Sequence, residues 1–340
     1  MENGGIGYQQ LNDSEQAAYR ILSPALEQGA ATVDCSAAEP AVDLLRVFRT
    51  VLGDHPELIC FDRTKVRWVT YPSGGRRLHL SGCQTTGRAR RMTGELTAAL
   101  ADAVSCIRRR IPSDQRDILI GAAEFLQRHV TYDEREAARF AGAKSKNPDS
   151  HSAYGALVNG RAVCDGIAAA LALIARSFHI PAMMVPGEAL SRRGVWGDHT
   201  WNIVEIGRRF YHLDATWDIN LYAQEREFSY EYFCVSDDDL LGDHRWDIRA
   251  APLCDDSRGN YYVAASCFAN NMAQAEDIFR RDIRRGVRVI RLKISRNIAV
   301  PEPADRRLAE LLLHVAAARG KVEIRYRWNA NTRCFFSRFI

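Results

Sequence analysis

Between residues 160 and 218 the apolar positions switch from helical to alternating spacing. In "GRAVCDGIAAALALIARSFHI", residues 160–180, Ile167, Ala170, Leu171, Ile174 and Phe178 recur at helical intervals and make one stripe. Pro181 marks the exit, so the spacing predicts a helix over about 164–178 with Cys164 in its first turn. The next stretch, "DHTWNIVEIGRRFYHLDATWD" at 198–218, holds two alternating runs joined at Gly207-Arg208. A two-residue loop with glycine first predicts a hairpin closed by a type II′ turn. In that register Ile206 faces Arg209, Val204 faces Tyr211, Asn202 faces Leu213 and Trp201 faces Asp214. Val204, Ile206, Tyr211 and Leu213 then share the core-facing side, while His199, Trp201, His212, Asp214 and Thr216 share the other.

The flanks read as mixed helix and strand. Asn12 to Ser14 can cap a helix that Pro24 ends or kinks, and Pro40 suits the first turn of "AVDLLRVFRTVL", which Gly53 closes. "KVRWVTYPSGGRRLHLSGC" predicts a hairpin around "PSGG". A helix "TGELTAALADAVSCIRRR" stops at Pro112, and Ser113 or Asp114 caps "QRDILIGAAEFLQRHV". The polar stretch "GAKSKNPDSH", residues 142–151, reads as a mobile loop. Beyond it come a strand "YYVAASCF", a helix over 272–285, a strand "VRVIRLKI", a helix over 304–318 and two strands around Asn329-Ala330-Asn331. These patterns divide the chain into a helical region with a hairpin (1–105), a core (106–235) and a small basic α+β extension (236–340).

Composition narrows the class. Of 340 residues, 46% are apolar and 26% charged, as in ordinary globular proteins. No apolar run is long enough for a membrane span, and the N-terminus lacks the basic and apolar regions of a secretory signal, so a cytoplasmic location is expected. A net charge of +4 is too small to argue for nucleic acid. The charge is uneven, however: residues 271–340 hold 16 Lys plus Arg against 7 Asp plus Glu. That excess reads as a solvated basic face, with an acidic partner or a nucleic-acid patch as the alternative. Nine cysteines at scattered spacing, with no CxxC pair, argue against a disulfide framework and a zinc site, and no cofactor is implied. The run Asp237-Asp238-Asp239 lacks the glycine and distal glutamate of a calcium loop.

The candidate chemistry lies in the central stretch. A helix N-terminus favours anions, so a cysteine there is favoured as thiolate, and Gly160 and Gly166 leave room for a substrate backbone. On the predicted hairpin His199 opposes Thr216, with Asp214 its diagonal neighbour at roughly 7–8 Å between α-carbons. Thiol, imidazole and carboxylate together supply a nucleophile, a base and an orienting acid. The Cys164 N–H can donate to an oxyanion, and a second donor is sought upstream of it. Gly166 and Trp201 are carried as candidate substrate-binding or oxyanion residues. His212 reads as a structural hydrogen-bonding group, Trp217 as packing, and Asp218 as a turn residue, either a cap or a solvated carboxylate.

These stretches resemble the transglutaminase-like superfamily, whose core is papain-like. The resemblance runs from Tyr132-Asp133 to Asp218, through "GRAVCDG", "HTWN" and "YHLDATWD", and "YEYFCVSDDDLLGDHRW" is similar to sequences that trail this core in bacterial proteins. It implies an α+β fold with Cys164 as nucleophile, His199 as base and Asp214 as orienting acid. Many relatives carry an aromatic residue where Ile167 stands, a difference expected to alter the pocket beside the thiol. The implied reaction is acyl transfer from a peptide or glutamine-type amide through a Cys164 thioester. Hydrolysis comes first; transamidation, or a binding or scaffold module that keeps the fold without turnover, is the alternative.

Overall fold

A helix of alanines passes through the middle of this chain, and the sheet that carries the candidate histidine packs against it. The computed structural model describes residues 5–59, 66–80, 86–140, 145–191, 194–300, 302–317 and 322–340. In chain order the N-terminal elements are α1 (Asp13–Glu27), β1 (Thr32–Asp34), α2 (Leu44–Asp54), β2 (Val66–Thr70) and β3 (Arg76–Leu80). The centre holds α3 (Thr86–Arg108), α4 (Gln115–His129), β4 (Thr131–Tyr132), α5 (Glu134–Phe140), α6 (Ala153–Leu157), β5 (Arg161–Ala162) and α7 (Cys164–Ser177). It continues with β6 (Ala182–Leu190), β7 (Trp196–Ile206), β8 (Arg209–Leu213), α8 (Ala215–Glu225), α9 (Asp237–Leu240) and β9 (His244–Trp246). Last come α10 (Tyr261–Ala264), β10 (Phe268–Ala269), α11 (Met272–Arg284), β11 (Val289–Ile294), α12 (Ala304–Ala316), β12 (Ile324–Asn329) and β13 (Cys334–Phe339). The architecture is α+β. Among the described residues no helix is long and apolar enough to cross a membrane.

The single stripe expected on α7 understates its burial. Gly166 to Ala172, Ile174 and Ala175 are all buried, because α3, α4 and α6 surround the helix on the sides that β6 and β7 leave open. Five alanines among those residues give the neighbours close approach on every side, which larger side chains would prevent. The sheet behind it runs β8-β7-β6-β9, all antiparallel. One face, with Met184, Val204, Tyr211 and Leu213, joins α7 in the largest apolar cluster. The other face, with Met183, Val185, Trp201 and Ile203, closes a second cluster with Tyr232 and Val235.

The hairpin register is as expected, from Asn202 opposite Leu213 to Ile206 opposite Arg209. The turn differs. Gly207 and Arg208 both have positive φ, +56° and +62°, which is the type I′ rather than the type II′ pattern. The second strand also stops sooner, at Leu213, and Asp214 caps α8 instead of extending the ladder.

Other expectations need correction. Pro24 lies inside α1, one turn from its end; lacking an N–H, it forgoes a single helical hydrogen bond, to the carbonyl four residues before it. Asp43, not Pro40, opens α2 by accepting from the Leu45 and Arg46 amides. Gly53 sits within α2; a Cβ there would stand 2.6 Å from the Met184 carbonyl oxygen, so glycine lets α2 lie against β6. "YYVAASCF" folds as α10, capped by Asn260, and leaves only Phe268–Ala269 as strand. Residues 142–144 of the expected mobile loop lie outside the described residues, and its remainder is pinned. The Lys146 and Asn147 amides donate to Glu136 Oε2 (3.2 and 3.1 Å), and Ser150 Oγ donates to Asp133 Oδ2 (2.8 Å).

The basic C-terminal sheet, ordered β10-β11-β13-β12, has α11 and α12 packed in its own cluster. Arg280, Arg284, Arg285, Arg288, Arg296, Arg306, Arg307 and Arg325 stay exposed, while three basic residues turn inward onto groups of the same chain. Lys293 pairs with Asp239 (2.8 Å), Arg327 with Glu231 (2.6 Å), and the Arg291 guanidinium donates to the Phe228 carbonyl (2.9 Å).

Candidate active site

Strand β4 pairs in parallel with β5, setting Tyr132 beside Ala162, two residues before Cys164. The chain then turns into α7, and Cys164 opens the helix with its side chain partly exposed at the wall of a cleft. The cleft holds about 2040 Å³ and runs between α2, the β6–β7 hairpin, α8 and the tip of the β12–β13 hairpin. Cys164, His199 and Tyr132 all line it.

His199 reaches the thiol from β7. Its Nε2 lies 2.7 Å from Asp214 Oδ2, and the Cys164 sulfur is near enough to act on its titration. With Nε2 committed to the carboxylate, Nδ1 is the nitrogen left for the sulfur. Asp214 is fully buried, and its Oδ1 accepts from the Thr216 and Trp217 amides (2.9 and 3.3 Å). Burial opposes a charged His199, but the Asp214 carboxylate and then the Cys164 sulfur outweigh it and raise the ring to about 9. Burial likewise pushes Asp214 up, and His199 and His244 more than reverse this, holding it well below the usual carboxylate range. Both directions describe one buried ion pair. The structure thus brings Cys164, His199 and Asp214 together.

Residues 108–215 match the family profile of the transglutaminase-like superfamily. Over that stretch the chain is similar to that superfamily. Two solved structures show partial similarity. One, a TGase, is 16% identical with a TM-score of 0.31, over 44% of this chain and 43% of that one. The other, a candidate cysteine protease from Cytophaga hutchinsonii, is 15% identical with a TM-score of 0.28, over 45% of this chain and 61% of that one. The chain therefore spans less than two thirds of either. No curated protein matches it.

The other candidate residues have different places. Gly166 is buried away from the cleft; a Cβ on it would meet the Ser150 carbonyl oxygen at 2.4 Å. Its small size serves the packing of α7, not a substrate. Gly160 has φ +63° and turns the chain into β5, with the His129 carbonyl oxygen 3.2 Å from where a Cβ would stand. Trp201 is 1% exposed and does not line the cleft. Its ring stacks on His199, with centroids 6.0 Å apart, and its indole N–H donates to His212 Nδ1 (3.0 Å). It is a wall behind the base. Ile167 is fully buried in the core, so the pocket beside the thiol does not feel it.

His212 is the structural group expected. Nδ1 accepts from Trp201, so Nε2 carries the proton and donates to Asp237 Oδ1 (2.7 Å). Burial, the dominant influence, pushes its basicity down. That proton also stands where a metal would bind in the His212, Asp237 and Cys254 group. Trp217, expected only to pack, also lines the cleft. Asp218 is neither solvated nor a cap. It is buried in α8 and accepts from the Ser229 hydroxyl (2.6 Å) and the Glu231 amide (3.0 Å). Burial and the nearby acidic charges raise it to about 8.

Three participants escaped sequence reasoning. Asn202, in "HTWN", donates to the Ala168 carbonyl (2.9 Å) and ties α7 to the sheet. Tyr132 lines the cleft, and burial followed by the Cys164 charge raises its phenol, which keeps its proton. His244 approaches Asp214 from β9. All three sat inside quoted stretches, Tyr132 and Asn202 in the core and His244 in "YEYFCVSDDDLLGDHRW", but their side-chain partners were not legible there.

Proposed function

We propose that this protein hydrolyses amide bonds in peptides or proteins through a thioester on Cys164. The contact chain Cys164–His199–Asp214 at the wall of an open cleft carries this reading. The His199 imidazole takes the thiol proton; the thiolate attacks the acyl carbon, and the imidazolium returns the proton to the leaving amine. Asp214 holds the ring through Nε2 and supports its cationic form. The Cys164 amide at the start of α7 and the Tyr132 hydroxyl at the end of β4, both on the cleft wall, are assigned to the oxyanion. Water then attacks the thioester with His199 as base, releasing the acid and restoring the thiol.

A cleft of about 2040 Å³ exceeds the roughly 300–1,000 Å³ typical of small-molecule sites, which supports a polypeptide substrate. Its breadth admits water to the thioester, which supports hydrolysis over transfer to an amine.

The test is incubation of wild type and Cys164→Ala with a proteome-derived peptide library, with products read by mass spectrometry. New termini or deamidated glutamines, dependent on Cys164, are expected. Incorporation of a fluorescent primary amine at glutamine without hydrolysis would replace this reading with transamidation. Neither product, at any pH from 5 to 9, would favour the scaffold reading.

A further inference from the structure

The reaction above uses one histidine on Asp214, yet the carboxylate holds two. His244 is fully buried, and its Nε2 lies 3.1 Å from Asp214 Oδ2, the oxygen that already accepts from His199. Its Nδ1 lies 2.6 Å from Asp243 Oδ1. A carboxylate only accepts, so each of these bonds needs a proton on the ring side, and both together make the ring a cation. Trp201, Trp217 and Tyr232 surround it, with ring centroids 4.9, 5.1 and 5.7 Å away, and exclude water. The Tyr232 hydroxyl donates to the second oxygen of Asp243 (2.7 Å) and accepts from Asn329 Nδ2 (3.2 Å), at the tip of the C-terminal hairpin. The ionisable groups facing His244 are thus Asp214 at the α8 cap, Asp243 beside it, His199 on β7, His212 on β8 and Tyr232.

We propose that His244 is a permanently cationic positioning residue, which fixes Asp214 Oδ2 for His199 and partly offsets its charge. It acts through Asp214 and touches no substrate. The inference rests on the Cys164–His199–Asp214 reading. Without His244 the carboxylate would act on His199 with its full charge. The imidazolium would then hold its proton more firmly, and the sulfur, further from any second cation, would ionise less readily. With rings 5.4 Å apart, losing one charge should move titration behind the thiol by roughly one pH unit.

The experiment is the pH dependence of Cys164 alkylation by iodoacetamide, read by mass spectrometry, in wild type, His199→Ala and His244→Gln. Both limbs of the profile should move up by roughly one pH unit in His244→Gln, with Cys164 still alkylated. A folded His244→Gln protein whose profile overlays wild type would overturn the proposal. A wild-type profile indifferent to His199→Ala would instead overturn the triad reading. Should His244→Gln not fold, nitrogen-15 histidine NMR on wild type decides: protons on both His244 nitrogens from pH 5 to 8 are expected, and a neutral ring at pH 7 refutes it.

Discussion

Asp214 serves His199 and the helix behind it with different oxygens. Oδ2 accepts from His199 Nε2 at 2.7 Å, while Oδ1 accepts from the first free amides of α8, those of Thr216 and Trp217. The carboxylate cannot swing away from the imidazole without uncapping the helix, so its orientation is set before any substrate arrives.

The two duties separate by substitution. Asp214→Asn keeps a cap acceptor but loses the charge; it should lower Cys164-dependent turnover by about 10⁴-fold and also destabilise the fold, because the buried His244 loses its carboxylate partner. Asp214→Ala should lose the same turnover and in addition about 1 kcal/mol of stability for the missing cap. Paired kinetics and urea melts check this; equal stability of the two variants would contradict the double role.

The cysteines should rank by burial. Burial pushes the Cys35 thiol up to about 11 and Cys334 up to about 12, and raises Cys234, Cys254 and Cys267 as well. Cys164, beside an imidazole and partly exposed, should alkylate more than tenfold faster at pH 7 than any of these five. Site-resolved alkylation rates check it.

Asp218 should tilt stability against pH. Its folded value, about 8, lies above the unfolded value of about 3.9, so the folded state binds the extra proton between them. The contribution is fully present below about pH 4 and is lost as pH rises through about 8. Asp218→Asn, which cannot ionise, should flatten the melting temperature across that window. An unchanged slope would show that Asp218 ionises normally when folded.

Tyr132→Phe removes only a hydroxyl. If that hydroxyl meets the oxyanion, kcat should fall by about 10²-fold with KM nearly unchanged, and Cys164 alkylation should persist. A change confined to KM would place Tyr132 in substrate binding instead.

The α7 span and the hairpin register were legible because both follow from short-range periodicity. From them came the meeting of His199 with Asp214, even though the strand ends at Leu213 and the contact is made from a helix cap. The turn type was missed because Arg208 takes a positive φ that its residue type does not advertise. The roles of Gly166 and Trp201 were misread for another reason. Their function depends on what packs behind them, the Ser150 carbonyl and the His212 ring, which come from elsewhere in the chain. His244 was invisible on the same ground: β9 joins β6 only in the folded sheet. The inward pairing of Lys293 and Arg327 was not legible, because Asp239 and Glu231 precede them by dozens of residues.

That docking has a consequence for the order of synthesis. A ribosome makes the thiol, its histidine and its aspartate well before the β12–β13 hairpin. Until the hairpin arrives, Tyr232 lacks the Asn329 donor and Glu231 lacks its arginine. A nascent or C-terminally clipped chain therefore carries the nucleophile without the finished train of hydrogen bonds behind it, and the site is complete only once the last strands are in place.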